Sequence, residues 1–310
     1  MFTPKTQNPA LAALLILVAT AFIAATTLLA KSLGTDTLGP PLHAMQISHG
    51  RFIFAFCVFS TVMLVLRPGI VRPNWALQFG RSFFGWMGAT LMFAAAAFIP
   101  LSDATAISFL SPVWAMLLSI PLLGERVGRV RWSAASIALL GAMILIRPSP
   151  GTFQAAALLA LGAAVVMGME TIFVKKLTGH EPLLQVLFLN NLLGVGISTL
   201  AVLPFWQWPT GPQWAALVAL GVLMACAQTA YINAMARADA SFAAPFMYAT
   251  LVFAALYDFA VFGVVPDWVS ALGAGVILAG ALLLALREAR LRPGTVTADP
   301  AGGRLSPGAE

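Results

Sequence analysis

Residues 102–145 read SDATAISFLSPVWAMLLSIPLLGERVGRVRWSAASIALLGAMIL, and residues 238–283 read ADASFAAPFMYATLVFAALYDFAVFGVVPDWVSALGAGVILAGALL. The two stretches share an order of features. Asp103 and Asp239 stand at the start of an apolar run, and Gly124 and Gly263 end it. A second apolar run follows, in which Gly141 and Gly280 each stand seventeen residues beyond those glycines. The later stretch carries three extra residues between its Asp and its Gly. A membrane span needs about 20 mostly apolar residues to cross ~30 Å of hydrocarbon, so each stretch reads as two spans.

The rest of the chain has the same character. Of its 310 residues, 60% are hydrophobic and only 9% are charged, with a mean hydropathy of +0.91. Soluble domains carry roughly 25% charged residues, so a soluble globular protein, a disordered chain and a disulfide scaffold are excluded. Ten spans are predicted, at about 10–31, 45–66, 75–99, 103–122, 132–147, 153–175, 183–204, 213–236, 240–262 and 267–287. They are helices, because lipid offers no partner to an unpaired backbone group. The first is too long for a signal-peptide core and reads as a permanent span. Pro- and Gly-rich connections such as Arg67-Pro68-Gly69 separate the spans, and residues 289–310 read as a flexible tail. Cys57 and Cys226 fall inside apolar runs and read as small buried hydrophobes, with no disulfide or metal site.

The fold class that follows is an all-α integral membrane protein whose ten helices form two five-helix inverted repeats, residues 1–148 and 149–288. An odd number of spans per half turns the second half upside down. The basic residues agree with that. The segment 125–131 has three Arg, whereas its counterpart 264–267 has none. The loop with Arg67 and Arg72 is matched by WQWPTGPQ, also without any. With both termini in the cytoplasm, thirteen Lys and Arg lie on cytoplasmic segments and one, Arg147, on the opposite side, as the positive-inside rule requires. The net charge of +6 is thereby explained without nucleic acid. The Trp residues at 75, 132, 206, 208, 214 and 268 suit the headgroup level. Inverted repeats are frequent in secondary transporters, where two related halves enclose a midplane site.

Ionisable groups inside spans are costly and mark candidate function. Glu170 is the deepest acid. It reads as a proton site or substrate contact, or as a structural partner of Lys175 or Lys176. Arg51 and Arg81 lie one to two turns inside their helices. They either snorkel to the interface or hold a carboxylate, phosphate or other anion. Lys31 reads as interfacial, and Asp258 lies near the outer end of span nine. Neutral candidates for substrate contact are Trp86, Trp114, Asn190, Asn191, Gln228, Tyr231, Asn233 and Tyr248. Amides and phenols can orient a ligand while aromatic faces stack on it. They can equally serve as hydrogen bonds between helices. Pro112 and Pro245 interrupt spans four and nine, either as kinks that allow gating or as residues near helix ends.

Several local patterns carry a family resemblance. RSFFGWMGATLMFAAAAFIPLSDATAISFLSP from Arg81, LLGERV from Leu122 followed by RWSAASIALLGAMIL, and FGVVPDW from Phe262 followed by ALGAGVILAG look like helix pairs of one family. With its length and five-plus-five organisation, the chain resembles the EamA-type ten-helix carriers of the drug/metabolite transporter superfamily over about residues 10–288. Where the family often has an acid directly after the second-half glycine, this chain has Val264; Glu125 keeps the acid in the first half.

The resemblance implies a bacterial-type inner-membrane secondary transporter working by alternating access. The resemblance permits amino acids and their derivatives, S-adenosylmethionine, riboflavin, nucleotide sugars or drugs as the small polar substrate. The aromatic and amide content of spans three, eight and nine suits a planar, vitamin- or nucleoside-like one such as riboflavin or S-adenosylmethionine. An amino-acid or drug exporter of the same fold is the nearest alternative. A membrane scaffold or an intramembrane enzyme is the alternative of another class. GxxxxGK[ST] and HExxH are both absent, so no nucleotide cofactor, metal or catalytic residue is expected. The expected partners are the substrate, the bilayer and a proton as coupling ion, in a monomer or homodimer.

Overall fold

The computed structural model describes residues 9–124, 128–146, 156–177, 181–235, 237 and 246–291. Among them are eleven α-helices and no strand. These are α1 (Pro9–Gly34), α2 (Ala44–Leu66), α3 (Trp75–Phe98), α4 (Leu101–Ser108), α5 (Ser111–Leu123), α6 (Arg129–Ile146), α7 (Ala157–Leu177), α8 (Leu183–Val202), α9 (Gly211–Met235), α10 (Ala249–Phe262) and α11 (Trp268–Leu291). Six segments of the described chain are long and apolar enough to cross a membrane by themselves: Ala10–Gly34, Ala44–Leu66, Leu101–Leu122, Ala157–Val174, Leu183–Phe205 and Gly211–Tyr231. α3 is not among them. It carries Gln78, Arg81 and Ser82, all buried. α11 continues through 289–291, where the tail was expected to begin. Pro245, Asp239, Glu125, Arg126 and His180 lie outside the described residues.

The predicted fourth span is broken. α4 ends at Phe109 (ψ −2°) and α5 restarts after Leu110 (ψ −11°). Pro112 stands in the first turn of α5, where its missing N–H has no helical partner to lose. Tyr248 (ψ −13°) forms the matching turn before α10. The rings of Phe109 and Tyr248 meet edge-on with centroids 5.2 Å apart, so the two breaks touch.

Small residues let the helices pack. Ala12, Ala19, Ala30, Ala95, Ala138, Ala160 and Ala254 are fully buried, whereas Leu64, Phe98 and Leu200 point outward. This is the pattern of a bundle whose solvent is as apolar as its side chains. Gly141 of α6 meets α11 so closely that a Cβ there would stand 2.6 Å from the Ile277 nitrogen and 2.8 Å from the Gly273 carbonyl oxygen. α2 and α8 run antiparallel, since His49 bonds Ser198 at 3.0 Å while Phe56 meets Phe188 at the other end of the pair. α3 packs on α7 and α8, and α1 packs on α9 and α10. Trp75, Trp132, Trp208 and Trp268 are exposed, as expected for headgroup-level rings. Cys57 and Cys226 correct the expectation of buried thiols: both face outward, because lipid lets an apolar side chain be exposed without cost.

Candidate functional site

Three charged groups converge from three helices. Arg51 of α2 and Arg81 of α3 are both buried, at 8% exposure each, so neither snorkels to the interface. Each interacts electrostatically with the Glu170 carboxylate of α7. Glu170 reaches α3 because Gly85 lies there, one turn beyond Arg81. A Cβ on Gly85 would stand 3.0 Å from Glu170 Oε1. Among the described residues, no carboxylate oxygen comes within 4.0 Å of either guanidinium. Arg81 Nη1 donates to the Val186 carbonyl at 3.1 Å, and the Arg51 guanidinium lies 4.5 Å above the Phe52 ring centroid. Arg51 Nε and Nη1 and Arg81 Nε are buried without a hydrogen-bond partner.

Aromatic and amide candidates surround this cluster or stand apart from it. Trp86 of α3 is buried with Nε1 unpartnered, and its ring is 6.0 Å from that of Phe83. Trp114 of α5 packs against Gly168, two residues before Glu170, and its Nε1 is also unpartnered. Asn190 and Asn191 of α8 are buried. The Asn191 amide donates to the Leu187 carbonyl at 2.9 Å, and Oδ1 of each is left unpaired. Gln228 of α9 is half-buried with Oε1 unpaired. Unsatisfied buried polar atoms are rare in folded proteins and call for an explanation. Asn233 is otherwise engaged. It donates to the Thr229 carbonyl at 2.9 Å, and its Oδ1 accepts from Arg237 at 3.1 Å. Tyr231 is exposed on α9, and Tyr248 packs on Phe109 at the paired breaks.

Two features are not in the sequence reading. Lys31, expected at the interface, is buried and pairs with Asp258 Oδ1 at 2.5 Å. Its ammonium also lies 4.6 Å from the Phe262 ring centroid. Asp258 Oδ2 accepts from the backbone N–H of Leu101 at 2.8 Å, at the positive end of α4. One carboxylate thus joins α1, α4 and α10. The signal was present in the sequence: a lone Lys and a lone Asp placed at the same predicted depth.

The second feature is a pair of amide clamps. Gln46 donates to the Gln207 carbonyl at 2.6 Å and accepts from its N–H at 3.1 Å. Gln185 donates to the Val71 carbonyl at 3.0 Å and accepts from its N–H at 2.9 Å. Glu181 extends the latter clamp, accepting from Gln78 at 2.8 Å and from the Asn74 N–H at 2.8 Å.

A separate cavity of about 660 Å³ lies between α4, α10 and α11. Leu251, Val252, Leu256, Phe259 and Leu278 make most of its wall, and Asp103, at its edge, accepts from Ser270 at 3.0 Å. An open, apolar groove on the bundle surface suits a lipid chain better than a polar solute.

Comparison with known proteins places the chain. The profile of the EamA-like transporter family matches it twice, over residues 10–147 and 154–286. A protein of Vibrio cholerae named "Riboflavin transporter" is 37% identical over 72% of this chain and 79% of its own length. A Rickettsia prowazekii protein named "S-adenosylmethionine uptake transporter" is 26% identical, over 81% of this chain and 86% of its own. A crystal structure at 23% identity superposes with a TM-score of 0.62, covering 91% of this chain and 99% of the other, and shares the fold. The chain belongs to the EamA-like transporter family and is a multi-pass membrane transporter of metabolites, not an enzyme.

Proposed function

We propose that the chain is a secondary carrier for a planar, hydrogen-bonding metabolite of the riboflavin kind. The observation that carries this reading is a group of buried polar atoms without a protein partner, on Arg51, Arg81, Trp86, Trp114, Asn190, Asn191 and Gln228, beside those of Ser48, Ser60, Gln78 and Ser82. Inside an otherwise apolar bundle such atoms raise the free energy of the empty site, and a polar ligand relieves them. The relative named for riboflavin, at 37% identity, supports the same choice. S-adenosylmethionine is the second reading, favoured by the 26% relative.

The architecture proposed for this carrier is ten spans in two inverted five-span repeats, residues 1–148 and 149–288, followed by a tail from 289. It would sit in a bacterial inner membrane with both termini cytoplasmic. The double family match, the touching breaks at Phe109 and Tyr248 and the two amide clamps support it. Alternating access would then proceed by one repeat rocking against the other. In that scheme the Lys31–Asp258 pair closes the outer end. In the register set by Gly124 and Gly263, the position of Asp258 corresponds to Ser119. The Ser119 hydroxyl donates to the Met116 carbonyl of its own helix. Energy would come from a substrate or proton gradient, with Glu170 as the proton site.

The test is flux. Proteoliposomes containing the purified chain are loaded with flavin-free buffer, and the entry of radiolabelled riboflavin is followed. Saturable entry, inhibited by excess unlabelled flavin and absent from empty liposomes, is the expected result. Saturable S-adenosylmethionine entry without riboflavin entry would overturn the riboflavin choice and leave the carrier reading standing.

A further inference from the structure

We propose that Arg51, Glu170 and Arg81 read the edge of a cyclic imide, one N–H between two carbonyl groups, as in the pyrimidine ring of a flavin or in uracil. The inference rests on the carrier reading above and narrows its substrate to a hydrogen-bonding pattern.

The chemistry of the three groups sets the pattern. A guanidinium can only donate hydrogen bonds, and a carboxylate can only accept them. Two donors come from α2 and α3 and one acceptor from α7, and Glu170 is the charged neighbour common to both guanidinia, so the arrangement proposed is donor–acceptor–donor. Its complement is an acceptor–donor–acceptor edge. The groups are held for this purpose rather than spent on each other. Arg81 is fixed by the Val186 carbonyl, and Arg51 by the ring of Phe52. Glu170 lies against α3 at Gly85. Yet none of the three forms an ion pair within 4.0 Å, and three guanidinium nitrogens remain buried and unpartnered.

Charge discriminates among ligand classes. A phosphate or carboxylate would be attracted by two cations but repelled by Glu170 at the same place. A sulfonium cation would meet two positive charges and one negative. A neutral imide accepts from both guanidinia and donates to the carboxylate, so each of the three charged groups gains a partner. An adenine edge presents a donor amine beside a single ring acceptor, which leaves one guanidinium unpaired. The unpartnered Trp86 Nε1, on the same helix as Arg81, and the flat rings of Trp86 and Phe83 offer stacking surface for the remainder of a planar ligand.

The test uses the full chain in detergent and two fluorescent probes. Lumichrome carries the imide on a flat tricycle without a sugar chain. 3-Methyl-lumichrome is the same molecule with the imide N–H blocked. Titration should show the methyl compound binding about tenfold or more weakly, the loss expected when a charge-assisted hydrogen bond is removed and its acceptor left buried. Arg51→Gln should weaken both probes by a similar factor, since each keeps the carbonyl group that accepts from Arg51. Equal affinity for the two probes, or no measurable binding of either, overturns the proposal. The comparison of probes needs no variant, so a folding defect in Arg51→Gln cannot obscure it. Its outcome is also separate from flux. Discrimination between the probes without riboflavin entry would remove the riboflavin carrier and keep the imide site. Riboflavin entry without discrimination would do the reverse.

Discussion

Gln46 and Gln185 make the same contact at opposite ends of one antiparallel helix pair. Each is the third residue of its helix, and each closes a two-bond ring with the backbone N–H and C=O of a loop residue, Gln207 or Val71. Both side chains are buried, at 1% and 2% exposure. Each amide thus satisfies itself and ties down a connection leading into the next long helix, α9 or α3. Replacing Gln185 by Leu keeps the volume but frees a donor and an acceptor of Val71. The expected cost is about 1–2 kcal/mol, two hydrogen bonds at roughly 1 kcal/mol each, since Val71 is itself exposed and its freed groups turn to water. Gln46→Leu should cost a similar amount, and the two should add because they share no partner. Melting of the single and double variants in detergent checks both the size and the additivity.

Asp258 compensates the buried Lys31 and also caps α4 through Leu101. Asp258→Asn therefore leaves an ammonium buried without its counter-ion, a change that costs about 3–5 kcal/mol in comparable sites. Lys31→Met with Asp258→Leu removes both charges and should recover most of that loss. A thermal melt in which Asp258→Asn is as stable as the parent would show that the pair does not hold α1, α4 and α10 together.

Gly141 faces backbone atoms of α11, which cannot rotate out of the way as a side chain can. Gly141→Val should force α6 and α11 apart and destabilise the protein by at least the ~1–3 kcal/mol typical of overpacking. Gly196 has nothing within 4 Å of the place a Cβ would occupy, so Gly196→Ala should be neutral or slightly stabilising in the same melt, given the better helix propensity of Ala. The contrast between the two positions is the measurement.

Glu170→Gln bears on the energy source. In the proposed proton-coupled cycle Glu170 holds either a proton or the substrate's N–H, so uptake by the parent rises as the external pH is raised at fixed internal pH, because protons then flow outward as substrate enters. The Gln side chain carries no titratable proton but can still accept from the imide N–H through its amide oxygen, so the variant should lose this dependence while it exchanges substrate at zero gradient with reduced affinity. Uptake by the variant that follows the parent's pH profile would remove Glu170 from coupling.

Much of the molecule was legible as a one-dimensional pattern. Apolar runs separated by Pro and Gly marked the helices to within a few residues, and Pro112 marked the break before α5. Arg51, Arg81 and Glu170 were each visible as charges out of place. Their meeting was not visible, since it depends on the rotation of three helices and on the absence of a Cβ at Gly85. Lys31 and Asp258 were read separately, one as interfacial and the other as near a helix end. They are 227 residues apart in the chain, and no local rule links them.

The sequence by itself determined that this chain lives in lipid as a bundle of helices, because a solvent that cannot hydrogen-bond leaves the backbone no alternative once the apolar runs are long enough. Only the tertiary structure decided which polar groups face one another and which remain unpartnered. In lipid, apolar side chains gain nothing by choosing the interior over the surface. Helix rotation is therefore set by close contacts between small residues and by a few buried polar pairs, which composition and spacing do not encode.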